Sequence, residues 1–147
     1  MYRSKVRSTS LGPPTMVGAA LTPQLIAEGT ELLQALDEAG LTPDAAFWFY
    51  FPDINAWKLV LAEMRVGPSG PREVYKQVQR TLDALSNSIE AISLADVVVA
   101  KPDAPVVSVL KKALRVEPGA RGIRFSQNVI DGVLIEDAYV YRLAKPT

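Results

Sequence analysis

Residues 45–64 read AAFWFYFPDINAWKLVLAEM, and the run of residue types in this stretch sets the fold class. Ala45 to Phe51 is too short for a helix and rich in aromatics, which suit a pleated strand. Side chains alternate across a strand, so Phe47, Phe49 and Phe51 face one way and Trp48 and Tyr50 the other. Both faces are apolar. The strand must therefore be covered on both sides, or on one side by a partner. Pro52-Asp53-Ile54-Asn55-Ala56 carries turn chemistry, and Trp57 to Met64 reads as the return strand. Residues 45–64 are thus expected to form a β-hairpin.

Upstream, Thr22 is a cap and Pro23 suits a first helical position. Leu25, Leu32, Leu33 and Leu36 follow at helical spacing, with Gly29 on or beside the stripe and Gly40 as the stop. Downstream, Gly67-Pro68-Ser69-Gly70-Pro71 leads into a helix from about Arg72 to Leu85, with Val74, Val78, Leu82 and Leu85 inward. Asp96 to Ala100 is a short strand whose valine run suggests a central position. A helix to about Arg115 follows, with Val106, Val107, Leu110 and Leu114 inward and Asp103 as its expected cap. Arg121 to Ile130 and Val133 to Leu143 form a second hairpin about Asp131-Gly132, a strong hairpin signal. The expected fold is α+β, with about five strands in a mixed or mostly antiparallel sheet and three helices in the order α-β-β-α-β-α-β-β.

The 147-residue chain is read as one domain over residues 21–145, preceded by a flexible basic tail over residues 1–20. That start holds Arg3, Lys5 and Arg7 and no acid. Its composition resembles an organellar transit peptide, but a mobile tail is the plainer reading. No stretch is apolar for long enough to span a bilayer, and the expected location is cytoplasmic. The chain contains neither cysteine nor histidine. Thiol nucleophiles, thiolate metal sites and histidine-dependent triads are excluded within it. Any metal would be a hard cation held by carboxylates. No metal site and no cofactor is expected. Sixteen basic and sixteen acidic residues cancel, so global charge does not call for a polyanionic partner.

Pro52-Asp53 followed by Glu63-Met64-Arg65 resembles the PD-(D/E)xK pattern of metal-dependent nucleases, with Arg65 where that family places lysine. The resemblance covers about fifteen residues. It implies a magnesium site built on Asp53 and Glu63, with Arg65 beside it. Strand geometry works against that site: six residues along the return strand separate Asp53 from Glu63 by roughly 20 Å. The loop at 67–72 invites a phosphate-binding reading, but its prolines remove amide donors and it lacks a Gly-Lys-Ser/Thr ending. Arg72, Lys76 and Arg80 repeat at i, i+4 on one helix face. With Lys111, Lys112, Arg115, Arg121 and Arg124 they are the candidate basic surface for nucleic acid, which is not the favoured partner.

Six of the eleven aromatics, Phe47, Trp48, Phe49, Tyr50, Phe51 and Trp57, fall within residues 47–57. A core explains most of them. Aromatics are also enriched at interface hot spots, and an exposed apolar strand would invite aggregation. The favoured function is a non-enzymatic protein-interaction or accessory module, self-associating through this aromatic hairpin, with no membrane involvement. The alternatives are a divalent-metal-dependent nuclease-like enzyme using Asp53, Glu63 and Arg65, and a small-ligand-binding domain lined by Trp48, Tyr50 and Trp57.

Overall fold

A computed structural model describes residues 20–62, 70–101, 103–113, 122–130 and 132–143. Among the described residues three helices, α1 (Pro23–Glu38), α2 (Pro71–Ala84) and α3 (Pro105–Ala113), pack on five strands: β1 (Ala45–Phe51), β2 (Ala56–Ala62), β3 (Val97–Ala100), β4 (Ile123–Ile130) and β5 (Val133–Leu143). The element order is the expected one, and the domain is α+β. The sheet runs β3-β2-β1-β5-β4. β1 lies antiparallel to β2 and to β5, β4 lies antiparallel to β5, and β3 lies parallel to β2. Parallel neighbours need a crossover, which α2 provides.

The alternation read in β1 divides the core. Ala46, Trp48, Trp57, Leu59, Leu61 and Val97 meet α1 and α2 through Leu25, Leu32, Leu33, Leu36, Val74, Val78 and Leu82. Ala45, Phe47, Phe49, Val60 and Ala62, with Ile135, Ala138, Val140 and Leu143 of β5, meet Val107, Val109 and Leu110 of α3. The two apolar faces of β1 are therefore both covered by the chain's own helices. Among the described residues the valine strand β3 lies at the edge of the sheet, not in the central place its sequence suggested. Its short edge is partly closed by α2, because the Val99 backbone N–H donates to the Tyr75 hydroxyl at 2.9 Å.

Local chemistry fixes the helix ends. The Thr22 hydroxyl accepts from the Leu25 amide at 3.2 Å, with Pro23 opening α1. Gly40 at φ 78° ends it, and the Leu41 amide reaches back to the Leu36 carbonyl at 2.8 Å, as in a Schellman stop. α3 starts at Pro105, so Ala104 rather than Asp103 occupies the capping position. Between residues 46 and 47 the β1–β5 register shifts, and Tyr141 is the extra residue on β5. Such a bulge re-aims a side chain. Here the Tyr141 hydroxyl accepts from the Trp48 indole at 3.0 Å and donates to the Ile26 carbonyl at 2.6 Å. Gly29 is what lets α1 come this close: a Cβ there would fall on the Tyr141 hydroxyl, 2.8 Å from its Cζ. Burial holds the Tyr141 phenol protonated well above the usual tyrosine range.

The tail at residues 1–19, the loop at 63–69, and Arg115, Arg121 and Asp131 lie outside the described residues. Gly132, at φ 78°, has the left-handed backbone that the Asp-Gly turn calls for.

Candidate interaction surfaces

The aromatic hairpin is mostly interior. Phe47 and Trp48 are fully buried, and Phe49 and Trp57 are 4% and 2% exposed. Phe49 stacks edge-on to Phe51 with ring centroids 4.9 Å apart, and Tyr50 lies 5.6 Å from Trp57. Only Tyr50 and Phe51, both half-buried at the turn end of β1, offer surface to a neighbour. The Tyr50 hydroxyl donates to the Asn55 side chain. Trp48 and Trp57 thus sit in packed core rather than on the wall of a cleft. Among the described residues the Trp57 indole N–H meets no acceptor. The Arg124 guanidinium lies 5.4 Å over its ring and is clamped by Asp137 through two contacts of 2.6 Å.

Among the described residues the carboxylates do not converge on a metal site. Asp53 stands exposed in the 3-10 turn over Pro52–Ile54 at the tip of the first hairpin. Glu63 and Arg65 lie outside the described residues. Among the described residues no group of three or more acidic side chains is placed to hold a metal ion. The two buried acids are engaged by the backbone. One Glu28 oxygen accepts from the Ala91 and Ile92 amides at 3.0 and 3.2 Å, and the other accepts from Gln24 at 2.8 Å. This pins the 88–93 connection to α1. Asp96 accepts from the Ser93 amide and hydroxyl in a capping box. Asp37 is gripped by Arg142 at 2.8 and 3.0 Å. Those hydrogen bonds hold its carboxyl below the usual aspartate range, against the opposing effect of burial. Glu28 and Asp37 brace one element against another, Asp96 caps its own turn, and none of the three lines the cleft on α2.

Two surfaces remain. The first is apolar. Ile54, Val129 and Leu134 are the exposed large hydrophobics among the described residues, at 59%, 68% and 51%. Topology brings them to one end of the sheet, where β1 and β4 finish and β2 and β5 begin. Val129 and Leu134 are directly paired across the second hairpin. β5 pairs with β1 only from Ala138 onward. Residues 128–135 therefore project past Phe49 toward the level of the 52–55 turn. Half-buried Phe51, Ile130 and Val133 lie at this same end. The aromatic run lies on the first hairpin, whereas Val129 and Leu134 lie on the second and were not singled out in the sequence. Their signal was two adjacent apolar residues on both sides of Asp131-Gly132, one of each pair necessarily outward.

The second surface is basic. Arg72, Lys76 and Arg80 are exposed on α2 and border an open cleft of about 370 Å³ together with Tyr75, Gln79 and Leu94. None of its six lining residues is acidic. The i, i+4 spacing found the cations. The apolar floor was not foreseen, because Leu94 arrives from the turn before β3.

Among the described residues no helix is long and apolar enough to cross a membrane. No family model, no curated protein and no solved structure matches the chain.

Proposed function

We propose that the protein is a non-enzymatic interaction module that self-associates through the turn end of its sheet. The observation that carries this reading is the gathering of Ile54, Val129 and Leu134 at one end of the domain. Exposed large apolar side chains gathered at one end of a domain favour a partner that covers them. A second copy is the fitting occupant. Its large exposed side chains are apolar, with the exposed Asp53 and Glu136 beside them, and two-fold interfaces use the same patch on both subunits. Apolar character is also what distinguishes permanent homodimer interfaces from transient ones. The absence of thiol and imidazole groups and the structural engagement of Glu28, Asp37 and Asp96 favour binding over catalysis. The aromatic hairpin then contributes by holding the turn end rigid, with Phe51 at the rim.

Light scattering on the full chain tests this. At about 100 µM the wild type is expected at twice the 16.0 kDa chain mass, and Val129→Lys/Leu134→Lys at the single-chain mass with an unchanged circular dichroism spectrum. A monomeric wild type, or a double variant that keeps the wild-type mass, would overturn the reading.

A further inference from the structure

We propose that the cleft between α2 and the 94–96 turn receives an acidic peptide segment of a partner protein. Its carboxylates rest on Arg72, Lys76 and Arg80, and one apolar side chain rests on Tyr75 and Leu94. This goes beyond self-association and uses a different surface of the domain.

The spacing suits such a ligand. Successive i, i+4 cations on a helix lie about 6 Å apart along its axis, so Arg72 and Arg80 span about 12 Å. An extended chain presents side chains on one face about every 6.7 Å. Acids at alternate positions of a strand therefore meet the three cations in turn. The cations are open to contact, since no hydrogen bond or ion pair with a described residue engages Arg72, Lys76 or Arg80. The acids of α2 do not intrude. Asp83 takes a hydrogen bond from Gln79 at 2.8 Å, and neither it nor Glu73 lines the cleft.

The floor is preorganised. Tyr75 is held by the Val99 amide at 2.9 Å, and Leu94 opens the 3-10 turn whose Asp96 caps back onto Ser93. A fixed ring beside an aliphatic side chain gives an apolar anchor a seat that costs little reorganisation. Nucleic acid fits less well. Arg124 is committed to Asp137, and Lys111 and Lys112 lie on α3, across the sheet from α2. Of the candidate cations among the described residues, that leaves three at the cleft, a small footprint for a phosphate backbone, and a floor that phosphates would not use.

The test is fluorescence anisotropy with the full chain and a labelled eleven-residue peptide carrying Glu at alternate positions around one central Leu. Saturable binding is expected, weaker at 200 mM than at 50 mM salt. Binding should fall at least tenfold for Arg72→Glu/Lys76→Glu/Arg80→Glu and at least threefold for a peptide with Gly in place of Leu. A twelve-nucleotide thymidine strand should bind at least tenfold more weakly than the peptide. No saturation by 1 mM, indifference to the triple charge reversal, or equal or tighter binding of the oligonucleotide would overturn the proposal. If the triple variant loses its native circular dichroism spectrum, amide shifts of the wild type during titration decide. Changes over residues 72–80 and at Leu94 support the cleft, and changes confined elsewhere overturn it. Chain mass is read separately, so loss of peptide binding and loss of self-association are distinct results.

Discussion

Replacing Gly29 with Ala should reverse the usual sign of such a change. In an ordinary helix interior, Gly to Ala stabilises by up to about 1 kcal/mol. In α1 the added methyl would land on the Tyr141 hydroxyl, 2.8 Å from Cζ. That phenol is held between the Trp48 indole and the Ile26 carbonyl, so it cannot withdraw without loosening two hydrogen bonds, each contributing about 0.5–1.5 kcal/mol. Forcing an extra methyl into a packed site costs a further 1–3 kcal/mol or so. Set against the propensity gain, the net expectation is a loss of about 3 kcal/mol. For a domain of this size that corresponds to a fall of about 6–12 °C in Tm. Urea unfolding followed by tryptophan fluorescence reads the difference directly. Removing the hydroxyl with Tyr141→Phe should relieve part of it, leaving a coupling of at least about 1 kcal/mol in the double-mutant cycle. A Gly29→Ala variant as stable as wild type, or more so, would refute the close approach of α1 to β5.

The two tryptophans should respond differently to phenylalanine. Trp57→Phe leaves a void but also deletes a buried donor that has no acceptor among the described residues, and should change stability by less than about 1 kcal/mol, whereas Trp48→Phe leaves a void and breaks the bond to Tyr141, costing about 2 kcal/mol in chemical denaturation. Equal losses would show that the indole N–H groups are not in the environments described. The Asp37–Arg142 pair is about one-third exposed on each side and so is partly screened, and Asp37→Asn should cost about 1 kcal/mol at neutral pH. Because the folded carboxyl is held below its unfolded value, the contribution is fully present above about pH 4 and fades as pH falls through the lowered folded value. A wild-type advantage over Asp37→Asn that is undiminished at pH 2 would contradict the ion pair.

The elements were legible where chemistry is local. Thr22-Pro23, Gly40 and Asp131-Gly132 mark turns and caps, and the leucine spacing of α1 and the valine spacing of α2 each give one inward face, which the structure buries. Pairing was not legible, because nothing in the short-range pattern of residues 133–143 says that β5 will lie beside β1. That long-range choice makes β1 central and places its rings in the interior. The valine run of β3 suggested a central strand, but among the described residues β3 lies at the edge beneath α2, mostly half-buried, with its Val99 amide taken by Tyr75. Gly29 was ambiguous in sequence and is explained only by a residue 112 positions away. The basic stripe of α2 was legible from spacing, while its apolar floor depends on how the 86–96 connection returns beneath the helix.

Hydrogen–deuterium exchange at rising protein concentration tests most directly whether the aromatic ribbon holds the fold while the turn end makes the contact. Amides of β1 should be protected equally at 1 and 100 µM. Amides of residues 52–55 and 128–135 should exchange quickly when dilute and slow at least fivefold when concentrated. Concentration-independent exchange over residues 128–135, or protection of β1 that appears only at high concentration, would contradict the account.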